Sequence, residues 1–120
     1  MTNILIVDDD PAVSEVLSEI VDTYGYKAVL ASSAKEAASV LVKGGIDLIL
    51  LDLSMPEITG DQFLGFIRKR GFRVPVVVVS ARVEPDKEAE LRASGISGVV
   101  LKPFEVAEVI DEMERALQSR

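Results

Sequence analysis

The sequence predicts an α/β fold in which a five-stranded parallel sheet carries helices on both faces, written (βα)5. Three observations point to it. Five short aliphatic runs recur along the 120 residues. Four of the five are nearly continuous in apolar character, as strands covered on both faces are. Between the runs lie segments whose apolar residues repeat with helical spacing. No linker, repeat or low-complexity stretch interrupts this alternation, and the length suits one domain spanning residues 1–120.

The first run, "ILIV" (4–7), leads through three aspartates into Pro11. Asp10 can cap the helix that Pro11 begins, because proline fixes a helical φ and its missing N–H is not needed there. Val13, Val16, Leu17, Ile20, Val21 and Tyr24 form the stripe of that helix, and Gly25 stops it. "KAVLA" (27–31) is less uniform than the other runs, which suits an edge strand. Ser33 caps a second helix carrying Ala37, Val40 and Leu41, ended by Gly44 and Gly45. "IDLILL" (46–51) is the third strand, followed by a helix with Phe63, Leu64, Phe66 and Ile67 that closes at Gly71. "VPVVVV" (74–79) is the fourth. The helix after it, from about Pro85 to Ser94, has Leu91 as its one large aliphatic residue. It is expected to be short, loosely packed and mobile. "GVVL" (98–101) is the last strand, and Val106, Val109, Ile110, Met113 and Leu117 mark the last helix.

Right-handed crossovers leave few ways to wind such a sheet, and the common one is the flavodoxin-like, doubly wound order 2-1-3-4-5. Ligands then sit beyond the carboxyl ends of the strands, near the switch point between the first and third. That rule selects Asp8, Asp9 and Asp10 after the first strand and Asp52 after the third. It also selects Ser80 and Ala81 after the fourth, and Lys102 after the fifth.

Composition removes several other chemistries. With 13 basic and 20 acidic residues the net charge is −7, so direct nucleic-acid binding by this chain is not expected. There is no cysteine and no histidine, which excludes disulfides, thiolate and imidazole metal sites and Ser–His dyads. No apolar run approaches about 20 residues and no basic-then-apolar leader opens the sequence, so no membrane span and a cytoplasmic location are expected.

Each strand-end residue alone has an ordinary explanation: a helix cap, a turn, a solvated charge. Jointly they are hard to explain that way, because four adjacent strands would deliver them to one crevice. Carboxylates held a few ångströms apart either raise a pKa strongly or bind a cation. An oxygen-only set selects a hard ion, and Mg²⁺ with retained waters fits it. A cation beside Asp52, with Lys102 opposite and the Ser80 hydroxyl as donor, suits a phosphoryl group held against a carboxylate nucleophile. Small Ala81 leaves room for its oxygens.

With "VDDDP" after the first strand, "LLDLSMPEITG" around the third, "VVVVSA" at the fourth and "VVLKPF" at the fifth, the sequence resembles the receiver domain of two-component response regulators. The resemblance covers essentially the whole chain, and the order and spacing of the four pieces make it specific. It implies that Asp52 accepts a phosphoryl group from a phosphohistidine on a sensor histidine kinase or histidine phosphotransfer protein, in a Mg²⁺-dependent reaction. The chain would then switch conformation to control a partner or an output domain, without being an enzyme beyond its own phosphotransfer and dephosphorylation. It further implies Asp9 as a direct Mg²⁺ ligand, Asp8 as a ligand directly or through water, Asp52 itself, and the Ser54 backbone carbonyl. Lys102 would pair with the carboxylate and then the phosphoryl group, and Ser80 would swing toward it. A cis Lys102–Pro103 bond and phosphorylation-dependent homodimerisation through the fourth helix, fifth strand and fifth helix also follow from the family.

Three positions depart from the pattern or modulate it. Val99 stands where many members carry an aromatic residue whose rotation follows the serine, so switching is expected to run through the weak fourth helix instead. Arg82 and Ser54, two residues beyond Ser80 and Asp52, lie where side chains influence attack of water on the phosphoaspartate. A small-molecule aspartyl-phosphate phosphatase is the alternative enzyme, but it needs an acid two residues after the nucleophile, where Ser54 stands. A flavin site wants a phosphate loop in place of the three acids, and a cobalamin site wants histidine. A phosphorylation-independent pseudo-receiver is opposed by the intact residue set.

Overall fold

The computed structural model describes residues 1–118. Each aliphatic run becomes a parallel strand: β1 (Asn3–Val7), β2 (Lys27–Ala31), β3 (Leu48–Leu51), β4 (Val76–Ser80) and β5 (Gly98–Leu101). The sheet order is β2-β1-β3-β4-β5, as expected. The helices are α1 (Pro11–Thr23), α2 (Ala34–Lys43), α3 (Gly60–Lys69), α4 (Pro85–Ala93) and α5 (Val106–Gln118).

Alternation along the strands builds two cores. Leu5, Val7, Ile49, Leu51, Val76 and Val78 face one side, where Ala37 and Leu41 of α2, Phe63, Leu64 and Ile67 of α3 and Leu91 of α4 cover them. Ile4, Ile6, Leu48, Leu50, Val77, Val79 and Val100 face the other, under Leu17, Ile20 and Val21 of α1 and Val109, Ile110 and Met113 of α5. Both edges of the sheet are partly open: Leu30 of β2 and Leu101 of β5 are half exposed.

Strand limits differ from the apolar runs for identifiable reasons. Asp47 stitches a loop, accepting from the Asn3 N–H at 2.8 Å and donating its own N–H to the Asn3 carbonyl at 2.9 Å. The regular third strand starts after it, at Leu48. Pro75 has no N–H for the ladder, so β4 begins at Val76 and runs on to Ser80, which pairs with Leu101. Val16 and Tyr24, placed on the α1 stripe by spacing, are exposed. Val16 lies at the margin of the stripe, and Tyr24 is the residue that ends the helix.

Helix starts follow the expected chemistry. The Asp10 carboxylate accepts from the Ala12 N–H at 3.0 Å, with Pro11 as first helical residue, and the Ser33 hydroxyl accepts from the Glu36 N–H at 3.1 Å. A capping box at α3 pairs Thr59 with Gln62. By contrast α4 has no side-chain cap and a single buried residue, Leu91. Its far end is held by Arg68, whose guanidinium donates to the carbonyls of Ser94 and Gly95 at 3.0 and 3.2 Å and of Phe72 and Val74 at 2.9 Å each. Among the described residues no helix is long and apolar enough to cross a membrane.

Candidate functional site

The carboxyl ends of β1, β3, β4 and β5 bring the sequence-selected residues to one end of the sheet. Asp8 follows β1 directly, and its N–H donates to Ala31 at 3.2 Å; Asp52 follows β3, and its N–H donates to Val7 at 2.9 Å. These bonds continue the strand ladders past their last residues and fix two carboxylates in the floor of the crevice. Asp8 and Asp52 are buried while Asp9 is exposed. One oxygen from each of the three lies within 4.8 Å of the others.

Lys102 closes the site from β5. Its backbone N–H donates to the Ser80 carbonyl at 2.9 Å, which ties the ends of β4 and β5 together. Its ammonium reaches Asp8 Oδ2 at 3.2 Å and Asp52 Oδ1 at 3.7 Å. Asp52 Oδ1 also accepts from the Ser54 N–H at 3.3 Å. Both contacts fall on Oδ1. Asp8 Oδ1 accepts from the Asp10 N–H at 2.9 Å. The three adjacent aspartates are therefore placed in three different settings. Asp10 caps a helix, Asp8 takes one backbone donor and one ammonium, and Asp9 faces water.

Three carboxylates and one ammonium leave two negative charges uncompensated in a donor set made only of oxygen. That set fits a hard dication such as Mg²⁺. Burial is the largest cause raising the Asp52 carboxyl above its ordinary value, and the charge of Asp8 adds to it. The Ser54 N–H and Lys102 oppose the rise, and Asp9 contributes a smaller upward push.

The remaining expected residues are placed as follows. Ser80 is buried at the end of β4, and among the described residues its hydroxyl makes only a long bond, 3.4 Å, to the Arg82 carbonyl. Ala81 is exposed beside it. The Lys102–Pro103 bond is cis. Arg82 pairs with Glu84 in solvent and makes no described contact with Asp52. Val99 is half buried against the α2–α3–α4 core.

Spacing alone missed the support beneath these groups. The Gly60 N–H donates to the Leu53 carbonyl at 3.0 Å, and a side chain at Gly60 would meet the Asp52 carbonyl oxygen and come within 2.7 Å of Leu53 Cα. A glycine between the loop after Asp52 and a helical stretch was the available signal. Buried Ser14 donates to the Asp8 carbonyl at 3.3 Å. Asp61 accepts from the Thr59 hydroxyl at 2.6 Å and from Lys87 of α4 at 3.0 Å. Thr59, with help from Lys87, holds the Asp61 carboxyl below its ordinary value.

The family model for the response regulator receiver domain matches residues 4–114. The response regulator FleR of Pseudomonas aeruginosa is 34% identical over 112 residues, 93% of this chain and 24% of that protein. The heme response regulator HssR of Staphylococcus saprophyticus is 32% identical over 98% of this chain and 52% of its own length. The chain thus spans about half or less of these relatives. Among solved structures, chemotaxis protein CheY4 of Vibrio cholerae superposes with a TM-score of 0.91 at 28% identity, covering 98% of this chain and 99% of that one. Response regulator TrrA of Thermotoga maritima, solved in complex with Mg²⁺–BeF, gives 0.86 at 30% identity, covering 98% and 100%.

Proposed function

The chain belongs to the response regulator receiver domain family of two-component systems, and from that premise we propose that Asp52 is its phosphoacceptor. The donor is a phosphohistidine on a sensor histidine kinase or histidine phosphotransfer protein. The observation that carries this reading is a buried carboxylate flanked by Lys102 and two further carboxylates.

In the transfer, an Asp52 carboxylate oxygen forms the O–P bond as the P–N bond to the imidazole breaks. The imidazole leaves with the electron pair and takes a proton. Asp9, Asp8, Asp52 and the Ser54 backbone carbonyl would hold Mg²⁺, which when bound supplies charge neutralisation to the phosphoryl oxygens. That the similar TrrA was solved in complex with Mg²⁺–BeF supports Mg²⁺ as the ion. Lys102, at 3.2 Å from Asp8 and 3.7 Å from Asp52, can exchange its carboxylate partner for the phosphoryl group. Ser80, tied only by a long bond, is free to turn toward it. With Val99 in β5, the change would reach the surface through the loop before α4, and a partner, an output domain or a second copy would read it in the cytoplasm. Residues 1–120 act as one receiver unit that turns over no substrate other than its own phosphoryl group.

Incubation with acetyl phosphate or phosphoramidate and Mg²⁺, followed by intact mass, should show one added phosphate that chelation prevents. The Asp52→Asn protein should gain none. Phosphate gained at another residue in that variant would overturn the assignment.

A further inference from the structure

The chain is strongly acidic overall, yet it contains no acid between Asp61 and Glu84. That stretch holds five of the 13 basic residues, and four of them fall in "RKRGFR" (68–73). Among the described residues the cations farther along the chain are matched: Arg82, Lys87, Arg92, Lys102 and Arg115 each pair with a carboxylate. Among the described residues, Arg68, Lys69, Arg70 and Arg73 pair with none.

Helix-end electrostatics favours Arg68 and Lys69 in the last turn of α3 and Arg70 at its C-cap, but not Arg73 beyond it. Cations offset the partial negative charge at a helix C-terminus, and Arg68 spends its donors on carbonyls at the ends of α3 and α4. Lys69, Arg70 and Arg73 are exposed and make no such bond. Arg73 lies near enough to Arg68 to repel it. Like charges kept together without a counter-ion repel one another, and the field of such a patch attracts an anionic partner. Arg68 and Arg73 also line a shallow cleft of about 340 Å³ with Ala93, Ser94 and Gly95. Beside it, Arg70 stacks 4.7 Å above the ring of half-exposed Phe66. Guanidinium groups that can grip carboxylates bidentately, next to an aromatic ring, are the composition of a protein-binding hot spot.

We propose that the α3 end surface, formed by Phe66, Lys69, Arg70 and Arg73 with the Arg68 cleft, docks an acidic peptide segment of a partner protein. A long polyanion fits less well: nucleic acid would extend beyond the patch onto a chain of net charge −7, where it is repelled. A short acidic segment meets only the patch. The C-terminal ends of α3 and α4 lead into the starts of β4 and β5, at the opposite end of the strands from Asp52, so both surfaces can be occupied at once.

The test is fluorescence anisotropy of a labelled Asp/Glu-rich peptide containing leucine, titrated with the whole chain. Duplex DNA and vesicles with anionic headgroups serve as parallel probes. Saturable peptide binding should weaken at least about tenfold in Arg70→Glu/Arg73→Glu and change little in Lys35→Glu/Lys43→Glu on α2. It should also weaken between about 0.05 M and about 0.5 M salt. Equal binding by both double variants, or no saturable binding by the native chain, overturns the proposal. Tighter binding of DNA or vesicles than of peptide overturns the choice of partner. The outcome does not depend on Asp52, so the Asp52→Asn chain should bind the peptide equally well.

Discussion

Ionising Asp52 works against its surroundings. Burial and the neighbouring Asp8 charge raise its pKa above the ordinary value, against the pull of the Ser54 N–H and Lys102. The folded chain therefore holds the Asp52 proton more tightly than the unfolded chain does. The stability this gives is fully present below the unfolded pKa and is lost as pH rises through the folded one. At neutral pH without a divalent cation the charge is a liability, which an uncharged residue of the same shape removes. Asp52→Asn should then be more stable than the native chain at pH 7 in chelator, by on the order of 1 kcal/mol, about 4 °C in melting temperature. The gain should vanish as the pH falls below about 4, where the native carboxyl is protonated in both states. Thermal melts across that range check it; a variant of equal or lower stability at pH 7 would show that Lys102 and Ser54 outweigh burial.

At the scale of elements, α4 is the weakest attachment in the fold. It carries no cap, and its buried contribution is Leu91 alone. Arg68 pins its C-terminal end and Lys87 joins its first half to Asp61, next to the loop that follows Asp52. The result is an element fixed at one end and lightly latched at the other. Its amides should exchange with solvent faster than those of the other helices, and Leu91→Ala should cost about 2–5 kcal/mol. Hydrogen exchange should place the loss of protection in α4 while β4 and α5 keep theirs; uniform loss would mean that α4 opens only with the whole molecule. The weakness of α4 was legible, because a helix with one large aliphatic residue announces itself in the pattern. So were the strand order and the strand-end residues, since apolar runs and polar termini are local. What was not legible is tertiary: the carbonyls Arg68 reaches lie up to 27 residues away, and nothing in the spacing of Asp61 and Lys87 shows that they meet. Gly60 was overlooked because its constraint comes from the Asp52 backbone folding over it, not from a turn.

Over the whole molecule, two kinds of negative charge respond differently to ions. The surface carries most of the −7, and its mutual repulsion is screened by any salt within a Debye length of about 10 Å at 0.1 M. The pocket formed by Asp8, Asp9 and Asp52 is a different case, because two of its carboxylates are buried and Lys102 offsets only one charge. Monovalent salt reaches it poorly, whereas a dication matches its charge and its oxygen donors. Monovalent salt should therefore raise the melting temperature modestly. Mg²⁺ at matched ionic strength should add more, about 2.7 kcal/mol when its concentration is 100 times its Kd. Asp9→Asn separates the two responses. Asp9 is exposed, so its replacement leaves the core intact, relieves part of the repulsion in the metal-free state, and removes one of three carboxylate donors. The variant should keep the response to monovalent salt and lose most of the response to Mg²⁺, with affinity down at least about tenfold. An unchanged Mg²⁺ response in Asp9→Asn would mean that the ion acts on the diffuse surface charge, and the pocket would lose its claim to a bound dication.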